Sequence, residues 1–189
     1  MTGRAMRTAD VLRTVLAGAA VIGLAAGCGS TVGGTAATPT TTVRNLDEIQ
    51  LFNPCTDLAD EVLRGTGMDP ATKSVTTDPA QGPAAWRICG WYPPGRAYKI
   101  TVYSTSHTID ESRANEKLTG FRDVTVGSRE GLTYHEKSET DGERCYVGFS
   151  AEQGMFEVSA SWTGEGRRST DMCEIALKHA GDLEPHLPK

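Results

Sequence analysis

Four widely spaced cysteines set the strongest constraint on how this chain can fold. Cys55, Cys89, Cys145 and Cys173 are separated by 34, 56 and 28 positions. None belongs to a C-x-x-C pair, the close spacing with which zinc sites usually gather thiolates. In an oxidising compartment the same spacing predicts two disulfides, and four cysteines allow three connectivities. Each bridge would contribute roughly 3–4 kcal/mol by the chain-entropy estimate. The compartment is therefore the next question, and the N-terminus bears on it.

Arg4, Arg7 and Arg13 precede an uncharged apolar run from Val15 to Ala26. That run has the length of a signal-peptide core and falls short of the roughly 20 apolar residues of a membrane-spanning helix. It ends in Leu24-Ala25-Ala26-Gly27-Cys28, which resembles the lipobox of bacterial lipoproteins. Ala26 and Gly27 match its small residues, while Ala25 stands where Leu is usual. The resemblance implies removal of residues 1–27 as a signal peptide and a diacylglyceryl group on the Cys28 sulfur. It also implies a place on the outer face of the cytoplasmic membrane. Cysteine parity points the same way: ordinary secretion would leave one of five thiols unpaired, whereas lipidation of Cys28 leaves four. Two or more acyl chains make such an anchor stable.

Cleavage would remove three of 19 basic residues and one of 24 acidic ones, leaving 16 against 23 and a formal charge of −7. An acidic chain with scattered basic residues is a poor partner for nucleic acid or anionic headgroups, so membrane attachment is expected through the lipid on Cys28 alone. Residues 28–45, mostly Gly, Ser, Thr, Ala and Pro after the cysteine, read as a flexible linker. Residues 46–189 then have the size of one extracytoplasmic domain.

Asn53 as N-cap, Pro54 at the first helical position and Gly65 as a left-handed stop predict one amphipathic helix, burying Cys55, Leu58, Ala59, Val62 and Leu63. Gly67 to Pro83 reads as turns. Trp86–Tyr92 and Tyr98–Tyr103 read as a hairpin around Pro93-Pro94-Gly95. Ile109 to Leu118 has a thin helical stripe, residues 124–126 and 132–134 are short strands, and His135 to Gly142 is a loop. Cys145, Val147 and Phe149, then Phe156, Val158, Ala160 and Trp162, alternate with polar or small residues. They predict a second hairpin with one face in the core. A C-terminal helix, capped by Thr170 or Asp171 and closed by Pro185, completes an α+β fold: an antiparallel sheet with N- and C-terminal helices packed on it. Pairing Cys55–Cys89 and Cys145–Cys173 is favoured, because each bridge would tie the first turn of a terminal helix to a nearby strand.

Asn53-Pro54-Cys55 opening a helix, Cys89-Gly90-Trp91 on a strand and a late Cys173, together with the lipobox, are similar to an actinobacterial lipoprotein family known as domain of unknown function 3558. The resemblance covers most of the mature chain. It implies an extracytoplasmic lipoprotein and carries no activity with it.

Catalytic motifs fail on inspection. Gly148-Phe149-Ser150-Ala151-Glu152 has Glu where a nucleophile elbow needs its second glycine. His135-Glu136-Lys137-Ser138-Glu139 starts like a zincin helix but has no second histidine. His107, His135, His179 and His186 are expected at the surface, and no cofactor, metal or catalytic set is expected. Trp86, Trp91, Tyr92, Tyr98 and Tyr103 crowd one hairpin on both faces. Core packing is their ordinary use, and a ligand groove the functional one. The expectation is a non-enzymatic module binding a small apolar ligand or an envelope protein. The alternatives are a hydrolase pairing Ser150 or Ser128 with His135 and a carboxylate, or a structural accessory of the envelope.

Overall fold

The computed structural model describes residues 44–189 except 81–83, 140–141 and 165–169. Cys28, the signal sequence and most of the expected linker lie outside the described residues.

Asn53 caps a single helical turn, α1 (Pro54–Asp57), accepting from the Cys55 amide at 2.9 Å. The sequence predicts one continuous helix here, but Leu58 and Ala59 are extended and a second short helix, α2, occupies Asp60–Gly65. The break lets Cys55, Leu58 and Leu63 all reach the core. The left-handed stop falls on Gly67 (φ 84°) rather than Gly65.

The expected turn region instead holds strand β1 (Asp69–Thr77), followed by β2 (Trp86–Tyr92) and β3 (Tyr98–Thr105). A short helix, α3 (Ile109–Ala114), opened by a Thr108/Glu111 capping box, crosses to the far edge of the sheet. There β4 (Leu118–Val126), β5 (Arg129–Glu136), β6 (Arg144–Ala151) and β7 (Gly154–Trp162) wind back as a meander. The seven strands are antiparallel in the order β1-β2-β3-β7-β6-β5-β4, so β7 lies mid-sheet between β3 and β6. Pro70, which has no N–H to donate, is accommodated because β1 is an edge strand. Helix α4 (Met172–Leu183) is capped by Asp171, which accepts from the Cys173 amide at 2.8 Å.

One sheet face carries Cys89, Trp91, Ile100, Val102, Val147, Phe149, Phe156 and Val158 against α1, α2 and α4. The favoured pairing is present: Cys55–Cys89 ties α1 to β2, and Cys145–Cys173 ties α4 to β6. Arg129 and Glu184 form a buried ion pair at 2.8 Å, and Arg129 also donates to the Leu187 and Pro188 carbonyls at 2.7 Å. These bonds pin the C-terminal residues to the β4–β5 turn. At the β6–β7 turn, Gly154 (φ 149°) passes so close to Ser106 that an added Cβ would lie 2.6 Å from its carbonyl oxygen.

The β6–β7 hairpin departs from expectation in one respect. Both faces of β7 are buried, including Met155, Glu157 and Ser159. A strand in the middle of the sheet has no solvent edge, and α3 with the aromatics of β5 and β6 covers its second face.

Candidate functional site

That second face holds a cavity of about 560 Å³. Period-two alternation aims the same-parity residues of four strands into it: Trp86 and Ile88 from β2, Tyr103 from β3, Met155 and Glu157 from β7, Arg144 and Tyr146 from β6. Tyr134 and Glu136 of β5 form its far wall, and His107, Glu111, Ser112 and Asn115 of the α3 region form its rim.

The rings make a continuous wall. Tyr134 and Tyr146 stack at 5.4 Å with planes 5° apart, and Tyr103 lies 6.1 Å from Tyr146. Trp86 meets Tyr103 edge-on at 6.3 Å and His107 at 5.4 Å.

The polar groups are ordered as donor–acceptor pairs. Tyr134 donates its hydroxyl proton to Glu157 Oε2, and Tyr146 donates to Glu136 Oε1 at 2.6 Å. Arg144 is held by Glu139 at 3.1 Å, by Ser161 at 2.7 Å and by the Tyr146 hydroxyl at 3.0 Å. His107 Nδ1 faces Glu111 Oε2 at 3.0 Å. Glu157 is only 6 % exposed, and burial pushes its carboxyl up to about 7 in spite of the Tyr134 hydrogen bond. Burial also raises Tyr146, and its hydrogen bond to Glu136 adds to the shift.

Of the five aromatic residues read as groove candidates, Trp86 and Tyr103 line this cavity. Trp91 is core on the opposite face, 1 % exposed, beneath the helices. Tyr98, on that same face, hydrogen-bonds His179 of α4 at 3.2 Å. Tyr92 lies under the Arg96 guanidinium at 3.9 Å and outside the cavity. Sequence reasoning missed Tyr134, Tyr146 and Glu157. The available signal was a lone carboxylate between Phe156 and Val158 in a strand whose other polar positions are serines.

Of the four histidines expected at the surface, His186 is exposed, His107 and His135 are half-buried and His179 is buried. His179 is 2 % exposed, and burial, then Lys178, depresses its pKa to about 4. His135 directs Nδ1 to the Arg144 carbonyl at 2.8 Å and Nε2 to Cys173 Sγ at 3.5 Å. Ser128 lies at the opposite end of β5 from His135, and Ser150 sits by the β6–β7 turn near that same end, so neither serine meets this imidazole. Among the described residues, His135, Cys145 and Cys173 cluster with metal-ligand spacing, but the two sulfurs are bonded to each other and offer no thiolate.

The fold and cavity define a disulfide-braced antiparallel α+β domain with an aromatic-walled pocket on the face away from its terminal helices. The chain belongs to the protein family of unknown function DUF3558, whose family model matches residues 23–186. No curated protein and no solved structure matches it. Among the described residues, no helix is long and apolar enough to cross a membrane.

Proposed function

We propose that this protein is a lipid-anchored, extracytoplasmic, non-enzymatic binding module that holds a small ligand with a flat or apolar body in the cavity over β7. The observation that carries the reading is the wall formed by Trp86, Tyr103, Tyr146 and Tyr134 around a volume of about 560 Å³, within the usual range for small-molecule sites. Several polar groups of the cavity are held in place by one another, as in sites that orient a ligand. The separation of His135 from Ser128 and Ser150 supports binding rather than acyl transfer by those residues.

Anchoring rests on the lipobox and on cysteine parity. With four of the five cysteines paired to one another, Cys28 is the odd one. Replacement of Cys28 by Ser is expected to release the protein into the medium with its fold intact, scored by immunoblot of membrane and supernatant. A variant that stays in the membrane fraction shows another anchor. For the cavity, the uncharged fluorophore N-phenyl-1-naphthylamine is expected to give a saturable emission increase. Asn115→Trp, at an exposed rim position, should abolish it. A signal that does not saturate, or that survives Asn115→Trp, removes the cavity as the ligand site.

A further inference from the structure

We infer that the ligand of this cavity is an organic cation, an amine on an aromatic or aliphatic body, with its nitrogen seated against the Glu157 carboxylate. The inference rests on the reading of the cavity as a ligand site and adds the chemistry of what enters it.

Three observations converge. Glu157 is nine-tenths buried and lines the cavity, yet only Oε2 is engaged, by Tyr134; Oε1 has no protein partner among the described residues. A carboxylate brought into mid-sheet without an ion pair costs stability, and its same-face neighbours Met155 and Ser159 show that the strand does not need a charge there. An incoming ammonium would supply the absent partner.

The charges around the cavity have the matching sign. The guanidinium that lines it is committed, Arg144 to Glu139, and the His107 ring is engaged by Glu111. Glu157 and Glu136 form no ion pair among the described residues. The hydroxyls of Tyr134 and Tyr146 point their protons at these two carboxylates, so the far wall offers acceptors rather than donors. An anionic ligand would meet unpaired carboxylates there.

The walls are also suited to a cation. Ring faces of Trp and Tyr attract ammonium groups, with the larger gain where water is displaced. Trp86 and Tyr103 supply such rings on the β3 side of Glu157, and the stacked pair Tyr146 and Tyr134 on the β6 side.

The test uses the full chain held in detergent, with empty micelles as blank, at pH 8. Three probes share one ring system: 2-naphthylmethylamine, 2-naphthylmethanol and 2-naphthoate. Calorimetric titration should show the amine binding at least about tenfold more tightly than the alcohol, since a charge-assisted bond replaces a neutral one, and the naphthoate binding weakest. In Glu157→Gln the preference of amine over alcohol should collapse to about unity. An alcohol that binds as tightly as the amine in the unsubstituted protein, or a naphthoate that binds tightest, overturns the cation while leaving the cavity a ligand site. If none of the three binds, the cavity reading fails and the inference falls with it.

Discussion

Replacing Glu157 by Gln should stabilise this protein at neutral and alkaline pH and leave it unchanged in mild acid. The carboxyl titrates at about 7 in the folded chain and at the ordinary 4.5 once unfolded. Between those values the folded state holds a proton that the unfolded state has released, so the contribution of Glu157 to stability falls as pH rises from 4.5 through 7. At 1.36 kcal/mol per pKa unit, the loss is about 3 kcal/mol and is complete just above pH 7. Gln keeps an oxygen to accept from the Tyr134 hydroxyl and never ionises. The variant should therefore match the unsubstituted protein near pH 4.5 and exceed it by about 3 kcal/mol at pH 8. For a domain of this size that is a rise of roughly 6–12 °C in Tm. Thermal unfolding followed by circular dichroism at pH 4.5, 6, 7 and 8 measures the difference between the two proteins. A variant destabilised equally at all four values would refute the reasoning, because it would show Glu157 acting through a contact that Gln cannot make rather than through its charge.

The other expectations concern the opposite face of the sheet. His179, depressed by burial from 6.5 to about 4, binds its proton first in the unfolded chain, so it removes stability as pH falls from 6.5 through 4. His179→Leu should abolish that slope; since Glu157 slopes the other way, the unsubstituted protein should be nearly flat between pH 4.5 and 6.5, and the variant should lose stability there as pH rises. A variant with the profile of the unsubstituted protein would contradict the His179 assignment, and an unsloped one that of Glu157. Arg129→Met breaks the buried pair with Glu184 and should cost about 3 kcal/mol, the low end for such pairs because Lys189 still reaches Glu184 at 2.7 Å. Urea unfolding gives the value, and a loss under 1 kcal/mol would show the pair to be dispensable. Replacing Cys145 and Cys173 together by Ala should cost about 2–5 kcal/mol, read in the same assay; an unchanged midpoint would mean that the bridge restrains nothing.

Much of the frame is legible in the residues, and the losses have identifiable causes. The Cys145–Phe149 and Phe156–Trp162 alternations, the Pro93-Pro94-Gly95 turn and the Asp171 cap mark β2, β3, β6, β7 and α4, because each signal is local. The favoured disulfide pairing, chosen among three connectivities from these elements and the Asn53-capped turn that carries Cys55, is the one present. Strand β1 is hidden, since an edge strand of Thr, Ser and Lys needs no apolar alternation and its Pro70 reads as a breaker. The break at Leu58-Ala59 is hidden because the helical spacing of Cys55, Leu58, Ala59, Val62 and Leu63 fits one continuous helix; in the structure Cys55, Leu58 and Leu63 are buried while Ala59, expected on the same face, is exposed. His179 reads as polar on an amphipathic helix, and only the position of Tyr98 shows that it faces inward.

The cavity was the hardest part to read, for a topological reason. Alternation assigns Glu157, Ser159 and Tyr146 to the face away from the apolar core, where the structure places them. What it cannot say is that this outer face becomes a second interior. That depends on β7 returning between β3 and β6, and on α3 crossing over the same face on its way to β4. Once there, a carboxylate that a solvated strand would carry at no cost weakens the fold by about 3 kcal/mol at pH 8. The helix face, with its two bridges and the Arg129 clamp, is where the compensating stability lies. A protein that needed only a packed sheet could carry a neutral residue at 157; the retained charge points to a partner for it.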